Sequence, residues 1–304
     1  TISATPTYGA AATLRYNTTT ARTAGVEWIT PFAATGGVNI ASTGVITMNA
    51  AKVFNASIPL TINSGASLST NNFQINFGGN FTNSGTFTAG SSPIVIDNAM
   101  VTQSIAGFTT TGLVTFSKAS GTATLTGNIS GSGLTINATA GTFNLGTALT
   151  HTFSGTLTRT AGTLNLGSST IKIGGSISGT GGTFTASTGI VDYNGTAQSI
   201  VNLAYYGLSL SGSGTKTFAA ATTVSNTIAI ASGVVANLGT GFTHTSNGLS
   251  FAGTLQVIGS WGGTGSGAAN INTTYFAATS GKINNNCSIP AITTQPGTPT
   301  ATCS

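Results

Sequence analysis

Apolar residues in this chain fall in short alternating runs. Thr163-Leu164-Asn165-Leu166, Thr170-Ile171-Lys172-Ile173 and Leu60-Thr61-Ile62-Asn63 each alternate apolar with polar positions and are bounded by Gly, Ser or Asn. Period-two alternation over four or five residues predicts short, half-buried strands. No apolar stretch approaches the roughly 18 residues that a membrane-spanning helix requires, so no membrane insertion is expected.

The strands repeat at two scales. Ala140-Gly141-Thr142-Phe143-Asn144-Leu145-Gly146 returns as Ala161-Gly162-Thr163-Leu164-Asn165-Leu166-Gly167, and more loosely as Gly181-Gly182-Thr183-Phe184-Thr185, a spacing of about 20–21 residues that signals a solenoid. A longer offset of about 95 residues relates Gly78-Gly79-Asn80-Phe81 and Gln103-Ser104-Ile105 to Gly174-Gly175-Ser176-Ile177 and Gln198-Ser199-Ile200. It also relates Asn144-Leu145-Gly146 and Thr150-His151-Thr152 to Asn237-Leu238-Gly239 and Thr243-His244-Thr245. A coil of that length cannot bury its apolar positions alone, so neighbours must stack like over like.

The predicted fold is therefore all-β, a right-handed parallel β-solenoid of about 20-residue coils. Roughly 13–14 coils and about three long repeats would span residues 1–286. Inward Leu, Ile, Val and Phe would form stacked rows, outward Thr, Ser and Asn would form ladders, and Gly and Asn would turn the corners. An antiparallel β-sandwich, or a string of them, is the alternative that short strands and Gly-rich turns also permit.

Composition sharpens this. Charged residues make up 4% of the chain, against about 25% in an ordinary domain, while 39% hydrophobic residues and 15 Phe argue against a disordered polar linker. The formal charge of +5 comes from scarce acids. Arg15, Arg22, Lys52, Lys118, Arg159, Lys172, Lys216 and Lys282 are scattered, not grouped as phosphate recognition needs, so no nucleic-acid partner is expected. The chain has no initiator Met or signal peptide at its start and reads as a mature or excised piece.

Residues 287–304 differ. Three of the seven prolines, Pro290, Pro296 and Pro299, lie there with both cysteines, Cys287 and Cys303. Pro-rich extended sequence reads as a linker, and a bridge closing this short loop would contribute roughly 3 kcal/mol. Oxidised cysteines would fit an exported protein.

Ala24-Gly25-Val26-Glu27-Trp28, the run from Phe77-Gly78-Gly79-Asn80-Phe81 to Gly85-Thr86-Phe87-Thr88, the Gln-Ser-Ile motifs and Gly259-Ser260-Trp261-Gly262-Gly263 resemble repeats in very large cell-surface adhesins of Bacteroidota. These include gliding-motility adhesins exported by type 9 secretion. The resemblance implies an extracellular, cell-surface section of a long multi-module chain. Its partners would be neighbouring modules, the secretion machinery and glycan or abiotic surfaces. It also likens residues 287–304 to the opening of a following Ig-like module, in which Cys303 would pair with a cysteine beyond Ser304 rather than with Cys287.

Chemistry has little raw material. Polysaccharide-active β-helix enzymes use carboxylate pairs about 5–9.5 Å apart, but Asp97 and Asp192 occupy equivalent places in successive long repeats and are expected several coils apart. They are assigned to turns. His151 and His244 are likewise repeat-equivalent and cannot share a metal. No catalytic residue, metal site or cofactor is predicted, and the chain is not expected to be an enzyme. The least repetitive segment, Arg15 to Phe32, supplies Arg15, Arg22 and Trp28 as candidate surface contacts, with Tyr205 added for a glycan-binding module. Thr-x-Thr triplets such as Thr86-Phe87-Thr88, Thr122-Ala123-Thr124 and Thr183-Phe184-Thr185 raise ice binding as a further alternative.

Overall fold

A computed structural model describes residues 3–99 and 102–286. Among these, every regular element is a β-strand. The strands stack in parallel as a β-solenoid of roughly 20-residue coils, about 12 in all. That is fewer than the 13–14 expected, because several coils lengthen: Leu14 pairs with Val38, Val38 with Leu60, and Phe81 with Ile105. The sandwich alternative is set aside by the parallel pairing. Antiparallel pairs are found late in the described chain, at Phe251↔Thr254 with its neighbour and between strands Gly259–Gly262 and Lys282–Asn285. The expected tail and both cysteines lie outside the described residues.

The chain divides into two compact units. Unit 1 comprises the described residues up to Ser169 together with Ser178–Thr185, and unit 2 comprises Thr170–Ile177 and the described residues from Ala186.

In unit 1 the inward positions align from coil to coil. Val38, Leu60, Phe81, Ile105 and Leu125 form one row, and Ile75, Ile94, Val114, Leu134 and Leu157 form another. All ten are buried, at about 1.5–3 kcal/mol for each large side chain. Strand alternation produces this directly, since residues i and i+2 share a face. Phe77 stacks on Phe81 at 4.5 Å and Phe116 on Phe143 at 4.9 Å.

The repeated Asn-Leu-Gly motif is a corner device. Asn144 Oδ1 accepts from the Gly146 backbone N–H at 2.9 Å, and Asn165 does the same for Gly167. The side chain closes the turn locally, while the glycines supply the positive φ of +85° and +59°.

Unit 2 repeats the scheme with rows Ile171–Val191–Leu208–Ile228–Leu249 and Ile173–Tyr193–Leu210–Ile230–Phe251. Its Asn237 turns the chain at Gly239 in the same way. Towards its end the coils become bulkier: Phe251 stacks on Tyr275 at 4.5 Å and meets Trp261 edge-on at 5.4 Å.

Candidate functional site

Most of the scarce ionisable groups are consumed inside the coils. In unit 1, Gln103 donates from Nε2 to the Phe77 and Gly79 carbonyls, and its Oε1 accepts from the Lys118 ammonium at 3.2 Å. In unit 2, Gln198 donates to the Ile173 and Gly175 carbonyls, and Lys216 Nζ donates to Gln198 Oε1 at 2.6 Å and to the Gly195 and Thr196 carbonyls. The long repeat is thus a repeated polar corner. In unit 1 the paired glycines Gly78 and Gly79 are required by close stacking, since a Cβ on Gly78 would collide with the Phe54 and Asn55 carbonyls and one on Gly79 with the Ile58 backbone. Burial lowers the pKa of both lysines; the nearby carboxylates, Asp97 for Lys118 and Asp192 for Lys216, oppose that fall. Burial raises the Asp97 carboxyl, against hydrogen bonds from Asn76 and Asn98 and the Lys118 charge.

The two histidines are structural and neutral. His151 Nδ1 accepts from the Ile129 N–H at 3.2 Å and His244 Nδ1 from the Thr222 N–H at 3.2 Å. A backbone N–H can only donate, so the proton sits on Nε2, which donates to Leu145 O in one case and Leu238 O in the other. Burial depresses both pKa values, the carbonyl bond partly opposing it.

Two candidate contact residues are overturned by burial. Trp28 is 2% exposed and packs against Tyr16 and Phe54, with Lys52 Nζ 5.6 Å from its ring centre and donating to its carbonyl at 2.6 Å. Tyr205 is 1% exposed. Its hydroxyl donates to the Val201 carbonyl at 2.7 Å and so accepts from Tyr193 at 2.8 Å. Burial pushes the Tyr193 pKa up to about 12. Trp28 and Tyr205 thus join the inward Phe side chains in filling the core, as large aromatics do in a chain this poor in bulk.

Arg15 and Arg22 are exposed and do come together, lining a recess of about 300 Å³ with Glu27. Glu27 is itself buried. Burial would raise its carboxyl, but hydrogen bonds from the Gly25 and Glu27 backbone and the Tyr16 hydroxyl, with the Arg22 charge, outweigh it and leave the pKa lowered.

Outward positions form ladders, as expected. In unit 1, Thr102, Thr122, Thr142, Thr163 and Thr183 stand in register on five successive strands, beside a second rank of Ser104, Thr124, Asn144, Asn165 and Thr185. None of the five threonine hydroxyls in the first rank has a hydrogen-bond partner among the described residues.

Unit 2 carries a recess of about 500 Å³ on its outer face, lined by Ile190, Asp192, Tyr206, Gly207, Ser209 and Asn226 among others. No single stretch of sequence reveals it, because its lining comes from four successive strands, and Asp192 stands out in the sequence only as the repeat equivalent of Asp97. The Tyr206-Gly207 pair was its one local signal, a ring beside a position without a side chain.

Among the described residues no group of three His, Cys, Asp or Glu is placed to hold a metal ion, and no helix is long and apolar enough to cross a membrane. No protein-family model, curated protein or solved structure matches the chain.

Proposed function

We propose that this chain is an extracellular, non-catalytic section of a long cell-surface adhesin, serving as a stalk or surface-contact module. The observation that carries the proposal is the commitment of ionisable groups to structure. Lys118, Lys216, His151 and His244 are buried and bonded to backbone or amide groups in equivalent ways in both units. Catalysis needs groups free to exchange protons or attack substrate, and these side chains are engaged in bonds within the coils. The surface placement rests on the resemblance of the repeats to adhesin strings. Immunolabelling of intact cells with antibody against residues 1–286 should decorate the surface, and purified chain should release no sugar from polysaccharides. Labelling only after lysis, or turnover lost in Asp97→Asn or Asp192→Asn, would overturn the proposal.

The double rank of hydroxyl and amide side chains on unit 1 favours a second reading, ice binding. Register sets the rungs about 4.8 Å apart, and the two ranks about 6.7 Å apart along each strand. The result is a regular, uncharged mesh that can order water. Thermal hysteresis and partition into ice, both lost in Thr142→Lys, are expected if the mesh serves this end; their absence from the native chain removes it.

A further inference from the structure

The recess on unit 2 has a construction that the ladders lack. Strand Ile190–Tyr193 points Val191 and Tyr193 into the core, so Ile190 and Asp192 lie on the outer face. In register with them on the next coil are Gly207 and Ser209. With no side chain at Gly207, the outer row drops to backbone there; a Cβ would press against Ile190 Cγ1. Ile190, 39% exposed, walls the hollow. Tyr206 and Asn226 are held beside each other, since the Asn226 N–H donates to the Tyr206 carbonyl at 2.8 Å.

Polar groups converge on this apolar hollow. Asp192 is only 5% exposed yet lines the recess. Its Oδ1 accepts from Ser211 Oγ at 2.7 Å, and Oδ2 receives no hydrogen bond from any described residue. Asn226 Oδ1 accepts from Thr227 Oγ1 at 3.3 Å, while nothing described accepts from its Nδ2. A nine-tenths-buried acceptor with an open oxygen, a free amide donor and a half-buried aromatic ring therefore meet in a cleft of ligand size.

We propose that this recess binds a pyranose unit of a neutral glycan. Asp192 Oδ2 accepts from ring hydroxyls, Asn226 donates to one, and the apolar C–H face of the sugar lies against Tyr206 and Ile190. A carboxylate accepts only, so it selects a ligand rich in donors. A free cation also fits that description, but the local charge disfavours it: Lys172 is the register partner of Asp192, and the buried Lys216 ammonium interacts with the same carboxylate. The site is neutralised by the protein, which suits an uncharged donor. The tyrosine that contributes is Tyr206, and its neighbour Tyr205 is buried beneath. The proposal goes beyond the adhesin reading and stands apart from it, since a spacer needs no ligand and a sugar site needs no particular location.

The test uses amide-resolved NMR titration of the intact chain with cellotetraose, laminaritetraose, mannotetraose and xylotetraose, and with calcium chloride. At least one sugar should shift the amides of the strand Gly207–Leu210 with Kd on the order of 1 mM or tighter. Tyr206→Ala and Asn226→Ala, both at the rim, should each weaken it about tenfold without changing the rest of the spectrum, and Asp192→Asn should do the same with the buried packing kept. Failure of all four sugars, binding unchanged in the variants, or shifts with calcium alone would overturn the proposal.

Discussion

Lys216 and Gln198 share a hydrogen bond of 2.6 Å, and Lys118 and Gln103 repeat it at 3.2 Å. In each pair the glutamine amide faces two backbone carbonyls, which accept only, so its oxygen must face the ammonium. Each glutamine thereby serves two carbonyls and an ammonium, and Gln198 Oε1 also accepts from the Gly195 N–H at 2.8 Å. Gln198→Leu should leave the Gly175 carbonyl and the Gly195 N–H without this side-chain partner and strip one bond from the Lys216 ammonium, at roughly 1–3 kcal/mol for each group left unsatisfied, while the Ile173 carbonyl keeps the Asn194 N–H. The double variant with Lys216→Met should recover part of that loss. Urea denaturation of the four chains reads the coupling directly, and strictly additive losses would mean the bond contributes nothing.

The histidines predict acid sensitivity with a definite sign. His151 and His244 have folded pKa values below the ordinary 6.5 because burial penalises the cation. Below 6.5 the unfolded chain binds protons that the folded chain refuses, so their contribution is complete above about pH 6.5 and is lost as pH falls through the lowered values. The melting temperature should therefore drop between pH 7.5 and pH 5, and the drop should shrink when both are replaced by Gln. Asp97, whose pKa is raised by burial, works in the opposite sense at lower pH.

Corner glycines should separate into two classes. Gly167 has φ +59° and a Cβ there would collide with the Gly146 carbonyl, whereas Gly233 has φ +78° with open space around it. Gly233→Ala should cost only the backbone strain, roughly 1–2 kcal/mol. Gly167→Ala adds the collision and should cost about 2–5 kcal/mol. Equal losses in chemical denaturation would show that coil stacking relaxes freely at the Asn-Leu-Gly corner.

Trp28→Ala is expected to act on stability, not on surface contact. The ring fills the space between Tyr16, Phe54 and Lys52, and its loss should cost about 3–5 kcal/mol. A variant that melts at the native temperature but loses surface adhesion would reverse the assignment.

Alternation and repetition were enough to specify the solenoid. Leu164 and Leu166 must share a face because strands have a period of two, and a motif that returns after about 21 residues must stack on its own copy to bury that face. The equivalence of His151 with His244 and of Gln103 with Gln198 was also visible as a long-range offset, though not what those residues bond to. The fate of each large or polar side chain was decided only in three dimensions. Trp28 and Tyr205 carry no local signal that separates a core anchor from a surface one, because burial depends on what the adjoining coils leave open. Asp192, Tyr206 and Asn226 lie on three different coils, and only the register between strands, which no single stretch of chain encodes, brings a carboxylate, a ring and an amide around the gap left at Gly207.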